Sequence, residues 1–320
     1  MRARRIFPPV SPSLIPTLSL VFMPSDAAAQ SNRIRISSGE LTAEIDPHGA
    51  QLSRLSDNAS HDLLWNGDPA VWTGRAPLLF PIVGVLAGGS YRLGANSYPL
   101  SRHGFARGRT FSVVSANAAS AAFKLSADSS TLQIYPFRFE LLVQFELARS
   151  TLAVITTVRN LGSEDMPASF GYHPAFRWPL PFGESRSSHS IEFETDEPEP
   201  VRRLDPAGLL TPARHPTPIE QRRLPLSDAL FQDDVVILDK LRSRSVSYGG
   251  QQGPRLRIGF PDTPYLGIWT KPGAHFVCIE PWHGIADPVG FAGDFKDKPG
   301  VFVLGAGKQL AATMTITLES

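Results

Sequence analysis

Phe139, Leu141, Val143, Phe145 and Leu147 alternate with Glu140, Leu142, Gln144 and Glu146. An apolar residue at every second position predicts a strand with one buried face. Leu310, Ala312, Met314, Ile316 and Leu318 repeat the pattern, with Thr313, Thr315 and Thr317 opposite. Leu41, Ala43 and Ile45 do so more briefly, as do Leu256, Ile258 and Phe260. Turn signals separate these runs: Asp46-Pro47-His48-Gly49, Asn160-Leu161-Gly162, Tyr248-Gly249-Gly250 and Gly305-Ala306-Gly307. No segment of ordinary length carries a helical period, and 29 Pro and 26 Gly work against long helices. Many short strands at close spacing predict an all-β sandwich or barrel.

The pattern begins abruptly at Arg33, and no linker-like shift in composition divides residues 33–320. That stretch is expected to form one domain. The segment from Pro179 to Pro225, rich in Pro, Arg, Glu and Ser, reads as long loops over one sheet. Residues 1–32 read as an N-terminal extension. Arg2, Arg4 and Arg5, an apolar run from Leu14 to Met23 and Ala27-Ala28-Ala29 sketch a secretory signal. Pro8, Pro9, Pro12 and Pro16 crowd the region where such a signal needs a helix. The preferred reading is a start at Met23 and a cytoplasmic protein; the alternative is export, with residues 1–29 as the signal.

Composition narrows the partners. Of 320 residues, 42% are apolar, enough for a sizeable core. Lys and Arg number 31 against 30 Asp and Glu, which gives no electrostatic argument for nucleic acid or an anionic membrane. No stretch approaches the ~20 uninterrupted apolar residues that span a bilayer. Cys278 is the only cysteine, so an internal disulfide is impossible and a zinc site built on cysteines is not expected. A monomer or weak homodimer acting on a small molecule fits this profile.

Three segments place a titratable residue beside Gly or Pro and an aromatic. They are Ser101-Arg102-His103-Gly104-Phe105-Ala106-Arg107, Phe170-Gly171-Tyr172-His173-Pro174-Ala175-Phe176 and Cys278-Ile279-Glu280-Pro281-Trp282-His283-Gly284. A concave sugar site needs polar groups fixed in direction and aromatic faces for the apolar side of a ring. Taken singly, a histidine near aromatics is more often a hydrogen-bonded structural residue than a catalyst, and a glutamate before proline more often a salt-bridge partner or turn residue. His103, His173, His283 and Glu280 are of metal-ligating type, but no tight spacing such as His-x-x-x-His joins them, and no metal is expected.

His-Gly-Phe-Ala-Arg, Gly-Tyr-His-Pro-Ala-Phe and Ile-Glu-Pro-Trp-x-Gly-Ile-Ala-Asp, in that order, resemble the aldose 1-epimerase (galactose mutarotase) superfamily. The run from Trp65 to Pro81 resembles its amino-terminal signature, and the similarity spans about residue 33 to the end. The resemblance implies a galactose mutarotase-like β-supersandwich of antiparallel sheets with a sugar cleft on one face. It implies interconversion of the α and β anomers of a hexose or hexose phosphate, with no cofactor. His173 matches the histidine taken as general acid toward the ring oxygen, and Glu280 the glutamate taken as general base on the anomeric hydroxyl. His103 matches a histidine that holds sugar oxygens, and Arg75 an arginine in the cleft. Asp233 and Asp234 both lie near the place of a substrate-binding aspartate. Val85 departs from the basic residue expected after Ile82-Val83-Gly84.

That chemistry suits these residue types. Exchange of anomers opens a hemiacetal and closes it from the other face. Opening removes a proton from the C1 hydroxyl and delivers one to the ring oxygen, and closure reverses the roles. Histidine suits the acid role, and a glutamate kept ionised by Arg75 or a histidinium would suit the base role. Arg107 is expected at the cleft edge, where with Arg75, Arg102 and Arg109 it could meet a charged substituent. The rival reading is a carbohydrate-binding protein without catalysis. Glycoside hydrolysis through Asp234 and Glu280 is disfavoured by the resemblance.

Overall fold

A computed structural model describes residues 32–319 of the chain. The expected extension, apart from Asn32, and the expected signal lie outside the described residues. Two antiparallel sheets dominate. The larger has nine strands. From one edge to the other they are Arg223–Pro225, Ser190–Phe193, Ser245–Gly249, Arg255–Gly259, Gln309–Glu319, Thr151–Asn160, Phe139–Ala148, Ser120–Ser126 and Ser112–Ala116. All four runs of alternating residues form strands, within a residue or two of the expected bounds.

Alternation explains why the large sheet folds. Phe139, Leu141, Val143, Phe145 and Leu147 are buried, while the residues between them reach partial exposure. The strand pairs in register with Thr151–Asn160, Val143 opposite Thr156 and Phe145 opposite Val154. Val154 in turn faces Met314 on Gln309–Glu319. The sheet thus offers one continuous apolar face to the second layer, whose burial is the main favourable term in folding. The one α-helix among the described residues is Ser129–Ile134, a single short turn capped by Asp128 and Thr131.

The second layer has six strands, with Val236–Leu238, Tyr265–Trp269, Phe276–His283, Phe170–Tyr172 and Leu78–Leu79 in order and Ala175–Arg177 also on Phe276–His283. Val277 and Ile279 point into the core shared with the large sheet, together with Leu266 and Ile268. Period two then sends Phe276, Cys278, Glu280 and Trp282 to the opposite face. Tyr172 ties the layers together. Its buried hydroxyl lies 2.7 Å from Ala312 O and 2.9 Å from Val154 O, both on the large sheet.

Pro179–Pro225 differs in part from the expected loops. Ser190–Phe193 and Arg223–Pro225 close one edge of the large sheet, because Ile191, Phe193 and Leu224 find buried places there. Part of the remainder meets the edge strand of the small sheet. Arg202 bridges to Ile237, and Leu204 pairs with Leu210.

Candidate active site

On the outer face of the six-stranded sheet a cavity of about 420 Å³ opens, within the range of small-molecule sites. Its floor is Phe276–His283, where Glu280 and Trp282 stand two residues apart on one face. Gly267 lies opposite Glu280 on the neighbouring strand. A Cβ there would collide with the Trp282 ring, so glycine lets the indole lie across the sheet.

His173 follows the strand Phe170–Tyr172, whose last side chain is the Tyr172 anchor. Its Nε2 sits 3.1 Å from Glu280 Oε2, with both side chains buried. Among the described residues that oxygen has no hydrogen-bond partner, and neither has His173 Nδ1, so the two groups face each other at short range without a formed hydrogen bond. Trp72 lies against the imidazole, ring centres 5.2 Å apart, and Trp269 meets it edge-on at 6.1 Å. The Trp65 indole N–H donates to Trp72 O at 2.8 Å, which fixes the loop that carries Trp72.

His103 approaches from a separate loop, edge-on to His173 at 5.7 Å. It has φ +66°, a conformation uncommon for a side-chain-bearing residue and one found at functional sites. Gly84 N–H donates to His103 Nδ1 at 3.1 Å. An Nδ1 that accepts leaves the proton on Nε2, so a neutral His103 is a hydrogen-bond donor there. Burial lowers its pKa well below the usual histidine value, with His173, Arg107 and Arg102 adding to the effect.

Burial also sets the protons of the central pair. It lowers His173 to about 3, with Arg107 contributing. It pushes the Glu280 carboxyl well above its ordinary range, Asp234 adding its charge and the Trp282 indole opposing. A buried charge is penalised unless paired, so both shifts favour a neutral imidazole beside a protonated carboxyl. Imidazolium with carboxylate and imidazole with carboxylic acid hold the same number of protons. The pair can therefore donate and accept without net charge change.

Of the residues singled out in the sequence, the cavity brings together His103, Arg107, His173, Asp234 and Glu280. Asp234 is at φ +62°, its Oδ1 accepting from Val235 N–H, whereas Asp233 is not on the wall. Arg75 does not reach the wall either. Its Nε donates to Asn66 O at 2.7 Å, and Gln51 Oε1 accepts from its backbone N–H at 2.9 Å, so the side chain is held among loops outside the cavity. Arg75 is thus not the cation beside Glu280. Arg109 turns away to Ser130 Oγ. Val85, the departure noted above, lines the wall with Arg102, Leu204, Gln232, Lys271 and Trp269. These come from segments distant in sequence, and only the Arg102–Arg107 proximity was visible beforehand.

One metal-type cluster occurs among the described residues. His173, Cys278 and Glu280 place ligand atoms within 4.8 Å of one another. It differs from the set considered in the sequence: His283 packs on Phe302 instead, ring centres 5.0 Å apart. Cys278 is fully buried and carries a free thiol, raised by burial and by Glu280.

Comparisons with known proteins agree with this architecture. The sequence profile of the aldose 1-epimerase family matches residues 32–298. Protein LacX (chromosomal) of Lactococcus lactis subsp. lactis is 33% identical over 278 residues, covering 84% of this chain and 93% of that protein. A galactose mutarotase related enzyme from Lactobacillus acidophilus superimposes with TM-score 0.83 at 31% identity, covering 90% of this chain and 97% of the other. A galactose mutarotase-like protein from Lactobacillus casei gives 0.84 at 30% identity, covering 90% and 100%. With the profile spanning most of a sandwich whose cavity gathers three of the motifs, the chain belongs to the aldose 1-epimerase family.

Proposed function

We propose that the chain is an aldose 1-epimerase that interconverts the α and β anomers of a hexose or hexose phosphate. The observation that carries this reading is the buried His173–Glu280 pair, 3.1 Å apart on the cavity wall. A binder has no need of two desolvated titratable groups at this separation, and such pairs concentrate where chemistry is done.

In this reading a pyranose enters with an apolar face on Trp72 or Trp269 and displaces the direct contact between His173 and Glu280. The C1 hydroxyl proton passes to one member of the pair as the other protonates the ring oxygen. The C1–O5 bond breaks, the aldehyde forms, and rotation about C1–C2 presents its other face. Ring closure returns both protons. Glu280 as base and His173 as acid is the assignment the family resemblance favours. The His103 Nε2–H holds a sugar oxygen, as does the Asp234 carboxylate. The test is polarimetry on fresh α-anomers with Glu280 and His173 variants.

A phosphorylated hexose is supported by one further observation. Arg102 and Arg107 both line the cavity, and among the described residues neither is ion-paired; Arg107 Nη2 donates only to Arg102 O, at 2.8 Å. Burial and the neighbouring Arg102 lower the Arg107 pKa. Two neighbouring guanidiniums on the cavity wall with no ion-pair partner among the described residues suit a phosphate.

A further inference from the structure

The cavity wall that carries Gly84, Val85 and Ala286 is backed by a buried charged pair, Lys298 and Asp287, each 3% exposed. The two side chains are 3.4 Å apart. Each also grips backbone. Lys298 Nζ donates to Ile285 O at 2.6 Å. Asp287 Oδ2 accepts from Ala87 N–H at 2.9 Å, and Asp287 N–H donates to Val85 O at 3.0 Å. The pair therefore staples residues 285–287 to residues 85–87.

The staple lies one step from the site. Gly84 precedes it, donating N–H to His103 Nδ1 and accepting His103 N–H on its carbonyl at 2.8 Å. Gly84 has φ +75°, and a Cβ on it would lie 2.5 Å from the Ala286 Cβ. The two wall segments thus pack tightly at Gly84 and Ala286, and the same Gly84 holds His103.

Packing alone does not hold this wall. Behind it is a second cavity of about 290 Å³, lined by Asp287 and Lys298 with Tyr91, Phe291 and Phe295. Burying an ammonium is costly, and burial lowers Lys298 to about 8 despite Asp287. An apolar side chain would fill the place without that cost but would bind neither Ile285 O nor Ala87 N–H. Polar ties fix direction in a way that apolar contact does not.

We propose that Lys298 and Asp287 are positioning residues that hold the Gly84 N–H against His103 Nδ1 and so keep the His103 Nε2–H available to the substrate. Its catalytic consequence rests on the epimerase reading; the tautomer does not. Substrate contacts are made by His103, and the pair acts only through it.

The test uses the full chain labelled with ¹⁵N-histidine. Long-range ¹H–¹⁵N spectra of the wild type should show His103 as the Nε2–H tautomer with an accepting Nδ1. Folded Lys298→Met and Asp287→Ala should show a tautomer mixture, and kcat/KM on any sugar the wild type turns over should fall about tenfold, the scale of one directed hydrogen bond. Asp287→Asn, whose amide oxygen can still accept from Ala87 N–H, should retain most of the signature. An unchanged His103 spectrum in both disruptive variants, with only thermal stability lowered, would overturn the proposal. Absence of turnover in the wild type would count against the epimerase reading and leave the spectral outcome decisive for the staple.

Discussion

His173 Nε2 faces Glu280 Oε2 at 3.1 Å in a pocket where both side chains are buried. The two groups stand close enough to act on one sugar ring. Glu280→Gln and His173→Ala should therefore each lower kcat by about 10²–10⁴-fold. Because the two act as a unit, the double variant should lose little more than the worse single one. Steady-state kinetics on the three proteins checks this, and fully additive losses would show two independent groups.

The same pair fixes the pH profile. Taking up a second proton requires His173 to charge, which burial defers to about pH 3. Losing the only proton requires Glu280 to ionise, which burial defers well above its ordinary value. The acid limb of kcat/KM, which reports the free enzyme, should therefore fall near pH 3 and its alkaline limb well above the ordinary glutamate value. A one-proton inflection near 6.5, the value of an exposed histidine, would contradict this assignment.

Tyr172→Phe tests how the layers place His173. Its hydroxyl sits among Ala312 O, Val154 O and Thr156 Oγ1, all buried. Removing it should cost about 1–3 kcal/mol in urea unfolding, since buried acceptors lose a donor. A change under ~0.5 kcal/mol, the level of an ordinary surface substitution, would show that the tie contributes little.

Much of this was legible in the sequence. Alternating apolar residues marked the long strands because a half-buried strand leaves that trace directly. His103, His173 and Glu280 stood out because each lies in a motif whose order matches a family. The rest depends on three-dimensional convergence. Trp269 reaches the cavity from the end of the strand beside Glu280 and Lys271 from the loop after it, and Asp234 is set on the wall by one backbone angle, a choice composition could not make against Asp233. Arg75 shows the opposite case. A motif named it, yet backbone acceptors at Asn66 and Ser53 hold its guanidinium away from the cavity.

Arg102 and Arg107 should separate substrates. Arg107→Ala should lower kcat/KM about tenfold or more on glucose 6-phosphate while changing glucose little, the worth of a charge-assisted contact. Equal losses on both sugars would remove the phosphate reading and leave a structural arginine.

The central claim is tested most directly by polarimetry. Fresh α-anomers of glucose, galactose and glucose 6-phosphate are dissolved, and the approach to rotational equilibrium is followed with wild type, Glu280→Gln and His173→Ala. Acceleration by the wild type that both folded variants lose is the predicted result. No acceleration on any of the three sugars, by a protein that still binds one of them, would contradict the account and make the cavity a binding site.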